Sequence, residues 1–427
     1  MHKFLSLLVF IPLFGLGQVE QGRLTVEKLC SPAFHGRGYV NGGDSLAANF
    51  IAGEFEKMGC KFFKNTPYQP FQFNVNTFPN RMTCSVNGKA LVPGKEFVVD
   101  PACPSYFTDS LKVYKITLAE LFNGKKLKNK ISEAAMSGSK MGIGFAFRFS
   151  DWKGDTLKIA KDLAKTLGQS MPVIELVDTK FTWSVSQEQS RFALLQVQSG
   201  ALDASSDHWI FQIKADAKMI DHTARNVIAY VPARKKSKKY FVFSAHYDHL
   251  GRMGQETYFP GGNDNASGTA LLLEMARYYV KNPAEVNMVF MAFAGEEVGL
   301  LGSQYYTEHP VFPLKDIQFL FNLDIMGSGE EGATVVNATL FPEQFDALKS
   351  INDKQQFLPK IGSRGQAANS DHYFFTLKGV PAFFMYTMGP NKHYHDVYDT
   401  YEELSFSKFN NIYQLLIDFG KVVAWKR

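Results

Sequence analysis

Cysteine is scarce in this chain of 427 residues: there are four, Cys30, Cys60, Cys84 and Cys103, all in the first quarter, and no two are spaced as C-x-x-C. That excludes a dense disulfide scaffold and a thiolate zinc site, and leaves free buried thiols or up to two disulfides. Charge of one sign is not in excess either, since 46 Lys and Arg stand against 41 Asp and Glu for a net +5. The main basic cluster, "ARKKSKK" at 233–239, lies between two apolar runs and reads as a solvated loop between strands, so no nucleic-acid partner is expected. There is no repeat and no low-complexity linker. Long hydrophobic runs are missing apart from the start, "MHKFLSLLVFIPLFGLGQ", whose apolar stretch is too short for a comfortable membrane span. It reads as an export signal over 1–17, cut after Gly17, which predicts a periplasmic or extracellular protein. The first cysteine, Cys30, comes too late for a lipid anchor, so no membrane attachment is expected after removal of the signal. Nothing in the sequence fixes an oligomeric state.

What the chain does have is aromatic and apolar bulk, with 38 Phe, 18 Tyr and 45% hydrophobic residues, the composition of a folded chain with a large core. Its length exceeds one simple domain. Residues 44–59, "DSLAANFIAGEFEKMG", predict an amphipathic helix with Asp44 as cap and Gly59 as stop. From about 66 the text turns to short β-rich runs and one amphipathic helical stretch, "SDWKGDTLKIAKDLAKTLG". These predict an N-terminal part of the main domain over 18–105 and an inserted α+β subdomain or lid over 106–220. No chemistry is legible in that insert.

From Asn226 the pattern becomes strands alternating with helices: "NVIAYVP", "YFVFSAH", "VNMVFMAFA", "FLFNLDI" and "PAFFMYT", separated by "ASGTALLLEMARYYVKN", "VGLLGSQYYTEHP" and "PEQFDALKSIND". Short apolar runs of this kind fit strands buried on both faces. The expected fold is α/β, a three-layer, open, mostly parallel sheet with helices on both faces over 221–427. Such sheets bind ligands at the carboxyl ends of their strands.

Costly polar groups fall at those ends. His246 and Asp248 close one strand, Glu296 and Glu297 a second and Asp324 a third; His395 follows a fourth, and Asp264 opens a helix. One or two such groups would be ordinary caps and turns, but five converging sets are not. Two imidazoles and three carboxylates without thiolate suit zinc or a similar divalent ion, whereas calcium would take more oxygens and no histidine. One carboxylate can bridge two ions, which jointly activate water and polarise a carbonyl.

In order along the chain, "HYDH", "GGNDNASG", "AGEEVGLLGS", "NLDIMG" and "YHDVYDT" resemble the motifs of the secreted co-catalytic zinc aminopeptidases, metallopeptidase family twenty-eight, which also contains glutamate carboxypeptidases and glutaminyl cyclases. The resemblance covers about 221–427. It implies a zinc-peptidase fold, a peptide substrate and two zinc ions: one on His246 and Asp324, one on Glu297 and His395, with Asp264 bridging. Glu296 would be the general base, Tyr394 would help hold the oxyanion, and a cis peptide would join Asp264 to Asn265. Asp248 is expected to orient His246 from behind, and Asp399 is a candidate for the same task near His395.

Other residues carry plain alternatives. His249 and His393 match no ligand position and read as structural or pocket-lining. "SDH", Ser370, Asp371 and His372, fits either a helix start capped by Ser370 or a motif beside the substrate pocket. Arg364 is the cation nearest in sequence that a substrate carboxylate would need. The expected activity is therefore removal of N-terminal residues from peptides. Behind it stand a carboxypeptidase or dipeptidase, a single-zinc glutaminyl cyclase and an inactive binding homologue.

Overall fold

The computed structural model describes residues 14–137 and 142–424. The expected leader, 1–17, lies outside them except for its last residues, where a helix, Phe14–Cys30, begins. Among the described residues no helix is long and apolar enough to cross a membrane. All four cysteines are free and buried, the thiol alternative of the two left open by the sequence.

The core sheet has eight strands, and four of its seven pairings are parallel. Its parallel centre is Asn287–Phe293, Tyr240–His246, Ile317–Leu323 and Ala382–Met388, the runs the sequence marked as doubly buried. Antiparallel strands flank it: Tyr68–Thr77 and Lys218–Val231 on one side, and Gly332–Val336 on the other. Alternation along each central strand feeds two cores. Phe241, Phe243 and Phe290 face one cluster, which holds Ile51 and Phe55 of helix Gly43–Met58, Leu272 of helix Gly268–Lys281 and Leu415 of helix Phe409–Ala424. Val242, Val289 and Met291 face the other, under Tyr306 and Phe375 of helices Leu301–Glu308 and His372–Leu377. Each such side chain taken from water is worth roughly 1.5–3 kcal/mol. Together they make a rigid base for whatever the strand ends carry.

Helix Gly43–Met58 ends at Gly59 in the left-handed region, as the sequence predicts. Asp44 does not cap its start. Its carboxylate instead accepts from His222 Nε2 at 2.6 Å, a half-buried partner brought by the strand Lys218–Val231.

A second eight-stranded sheet occupies the inserted region. It begins earlier than expected, because Thr83–Val86, Lys89–Leu91 and Phe97–Val99 pair within it rather than with the core sheet. The boundary expected at 106 therefore falls inside this sheet. The chain leaves and re-enters the core along one antiparallel ribbon, from Tyr68 opposite Val227 to Thr77 opposite Lys218. The inserted sheet is not a free lid, since Leu250, Met253 and Phe259 from the loop after His246 are buried in its own core.

Candidate metal centre

Each polar residue picked out at the strand ends converges on one buried cluster. Asp264 sits in a turn, Gly262–Ser267, joined to Asn265 by a cis peptide. Its Oδ1 lies 3.3 Å from His246 Nε2 and its Oδ2 lies 3.0 Å from His395 Nε2. Asp324 Oδ1 is 3.4 Å from His246 Nε2, and Glu297 Oε2 is 3.1 Å from His395 Nε2. Two ligand sets result: His246, Glu296 and Asp324, and His249, Asp264, Glu297 and His395, each able to bring one ligand atom per residue within 4.8 Å of the others.

The residues behind the cluster differ in part from expectation. Asp248 meets the His246 ring through its main-chain carbonyl, 3.2 Å from Nδ1. Its carboxylate accepts from the backbone N–H groups of Glu296 at 3.2 Å and Glu297 at 3.4 Å, and from the Tyr39 hydroxyl at 2.9 Å. Asp399 does not reach the His395 ring. Its carboxylate accepts from the N–H groups of Asn263 and Asp264, because the loop carrying it runs under that turn. His395 Nδ1 instead donates to the main-chain carbonyl of Trp183, at 3.0 Å, from the inserted sheet's side of the molecule. No side-chain signal could have announced that partner.

His249 is more than a bystander. Its ring is fully buried and Nδ1 lies 2.7 Å from Glu297 Oε1, so Glu297 is held on one oxygen and faces His395 with the other. His393 packs at the rim, 3.4 Å from Asp396. Ser370, Asp371 and His372 are all at 0% exposure and stand behind the cluster instead of lining open surface. Ser370 does not cap the helix: its hydroxyl accepts from Asn322 Nδ2 at 2.8 Å and donates to Asp324 Oδ2 at 3.4 Å. Arg364 is exposed on an outer strand end, its guanidinium 3.5 Å from the Tyr386 hydroxyl. Tyr394 stacks on His395, centroids 3.9 Å apart at 11°, and keeps 45% of its surface exposed.

One residue missed by the sequence reading fixes the frame. Arg37, at 0% exposure, donates to the carbonyls of Leu29, Tyr247, Pro260, Gly261 and Asp264. It pins the segment after His246 to the turn bearing Asp264. Gly261 is required beside it, because its φ is 58° and a Cβ there would meet Asp264 O, the His249 ring and the Arg37 guanidinium.

The adjacent glutamates are driven apart electrostatically. Burial, reinforced by Glu297, Asp371 and Asp324, lifts Glu296 well above the usual carboxylate range. Burial also opposes ionisation of Glu297, yet His395 and His249 hold its carboxyl down at about 2. For His395 burial disfavours charge, but Glu297 and Asp264 push the imidazole up to about 11. The divergence leaves Glu297 the more acidic and Glu296 the more basic of the pair. The donor set fits divalent ions: imidazole and carboxylate only, with Asp324 Oδ1 buried and accepting no hydrogen bond.

The stretch that carries this whole cluster, residues 226–420, matches Peptidase family M28. Over this stretch the chain is similar to the peptidases of family M28. Among its relatives, Aminopeptidase YwaD of Bacillus subtilis is 33% identical over 166 residues, 38% of this chain and 35% of that protein. The chain thus spans about a third of that relative's length. Leucine aminopeptidase 1 of Sclerotinia sclerotiorum is 25% identical over 279 residues, 61% of this chain and 70% of that one. In structure, the zinc aminopeptidase BSAP of Bacillus subtilis superposes with a TM-score of 0.65 at 19% identity over 95% of both chains. An aminopeptidase of Aneurinibacillus sp. strain AM-1 does so at 0.61 and 21% identity, over 95% of this chain and 93% of that one. At these identities the likeness is one of fold, and it extends beyond the M28 stretch into the inserted sheet.

Proposed function

We propose that this chain is an exported zinc aminopeptidase that hydrolyses the N-terminal peptide bond of peptides. The observation that carries the reading is the divided carboxylate of Asp264, with one oxygen toward His246 and the other toward His395. That arrangement suits two zinc ions, one on His246, Asp324 and Asp264 and one on His395, Glu297 and Asp264. Bound there, zinc would supply a Lewis acid and lower the pKa of the attacking water toward about 7.

The chain's own residues do the rest. Asp248 and Trp183 each offer a carbonyl to Nδ1 of a histidine, so each imidazole keeps its proton on that nitrogen and presents Nε2 inward. Glu296 lies within reach of the His246 and Asp324 group but is left free of the ions in this reading; as the more basic of the glutamate pair it takes a proton at its carboxylate from the attacking water and delivers it to the leaving amine. Tyr394 is held protonated, by burial of its hydroxyl end and by the carboxylates of Asp264 and Glu297, so it can donate to a developing oxyanion.

The names of the relatives, aminopeptidases and zinc metalloproteases, support the same activity class. A carboxypeptidase needs a cation for the substrate's carboxylate, and Arg364 is exposed while Arg37 is committed to five carbonyls. A single-zinc cyclase would leave one of the two ligand sets unused. Hydrolysis of amino-acid nitroanilides, compared with N-blocked peptides bearing free C-termini, tests the assignment: cleavage of the nitroanilides is expected, and cleavage of only the blocked peptides would overturn it.

A further inference from the structure

We infer that the inserted sheet belongs to the metal centre, because it delivers Trp183 as the positioning residue that fixes the tautomer of His395. The inference rests on the zinc reading above. Trp183 and His395 are joined by two main-chain-directed bonds. The Trp183 N–H donates to His395 O at 2.8 Å, and His395 Nδ1 lies 3.0 Å from Trp183 O. A carbonyl only accepts, so Nδ1 must carry the hydrogen and Nε2 is the nitrogen left to face Asp264 and Glu297. The two bonds also hold His395 at φ 53°, a conformation a non-glycine residue keeps only when its surroundings demand it.

Trp183 can do this because it is anchored to the insert and not to the core sheet. Its indole Nε1 donates to Val99 O at 2.7 Å, in a strand of the inserted sheet. Its ring stacks on Phe259 at 4.6 Å and 10°. On either side of it the same segment makes two more bonds, one to the His395 loop and one to the Glu297 loop. Lys180 pairs with Asp396 at 2.8 Å, beside His395, and Gln187 Nε2 donates to Val298 O at 3.0 Å, beside Glu297. The segment 180–187 thus bonds to both loops, those of His395 and Glu297, that would hold one of the ions. These bonds make it part of the site's scaffold.

The experiment compares the full chain with Trp183→Ala and Trp183→Phe, following zinc affinity by competition with a chromophoric chelator, together with kcat and KM on Leu-nitroanilide. Trp183→Ala is expected to weaken the less tightly held zinc by about 10–100-fold and to lower kcat more than it raises KM. Trp183→Phe keeps the stack on Phe259 and is expected to restore most of the loss. A folded Trp183→Ala protein with wild-type zinc affinity and kcat would overturn the inference.

A second readout does not depend on the variant folding. Histidine-selective 15N spectra of the zinc-loaded wild-type protein should show the His395 signal, assigned by its absence from His395→Gln, with its proton on Nδ1 and slow to exchange. A proton on Nε2, or a freely exchanging one on Nδ1, would overturn the role of Trp183 while leaving the zinc reading intact. Wild-type protein that takes up no zinc would instead defeat the zinc reading itself, and this inference with it.

Discussion

His246 and His395 approach a single carboxylate from two sides: Asp264 Oδ1 lies 3.3 Å from one Nε2, and Oδ2 lies 3.0 Å from the other. Nδ1 of each ring meets a main-chain carbonyl, Asp248 O for His246 and Trp183 O for His395. The two histidines come from strand ends 149 residues apart in sequence, and the parallel centre of the sheet is what brings them together.

Replacing the base should separate binding from chemistry. Glu296→Gln keeps the side chain's shape but cannot accept the proton, and a drop in kcat of roughly a hundred- to ten-thousand-fold is expected with zinc content unchanged. Steady-state kinetics beside metal analysis checks it. Activity within a few-fold of wild type would remove Glu296 from the role of base.

Asp399 should matter to metal uptake through the backbone. Its carboxylate satisfies two buried N–H groups, those of Asn263 and Asp264. Asp399→Ala orphans both, at roughly 1–3 kcal/mol for each unsatisfied group, and loosens the turn that aims Asp264. A lower melting temperature and a zinc affinity reduced about 10–100-fold are expected, by calorimetry and chelator competition. Unchanged affinity would mean that the turn holds its shape unaided.

Gly261→Ala puts a methyl against Asp264 O, His249 and Arg37 at a left-handed backbone position. Strain of roughly 1–3 kcal/mol is expected from the backbone alone, before the clash is relieved. Denaturant unfolding measures it. A variant as stable and as active as wild type would show that this junction gives way easily.

The four cysteines offer a test independent of catalysis. Burial pushes each thiol up to about 12, from an ordinary value of 9.0. In the unfolded chain the thiols lose their protons near pH 9, while the folded chain keeps them. The unfolded state therefore binds fewer protons between these values, and this contribution to stability, whole below pH 9, falls as pH rises toward 12. Iodoacetamide should leave the native protein unmodified and add four groups in denaturant without reductant. Fewer than four would indicate a disulfide.

The candidate site residues are legible in the sequence because a histidine or carboxylate at the end of an apolar strand has no cheap structural excuse. Glu296, Glu297, Asp324 and His246 announce themselves in that way. Partners that act through the main chain leave no such mark, which is why Trp183 went unseen and why Asp399 was set beside His395 instead of under Asp264. Nothing in the sequence marks Arg37, and only the fold reveals the five carbonyls around it. The insert's boundary was misplaced for a similar reason. "SVNGKALVPG" spells a hairpin, and a hairpin does not say which sheet it joins.

Metal content of the purified protein by mass spectrometry, with Leu-nitroanilide hydrolysis followed before chelation, after it and after zinc return, is the most direct test. Close to two zinc ions per chain, with activity lost on chelation and recovered with zinc, is the expected result. No bound metal after zinc return, or hydrolysis that survives chelation, would contradict a di-zinc site built on Asp264.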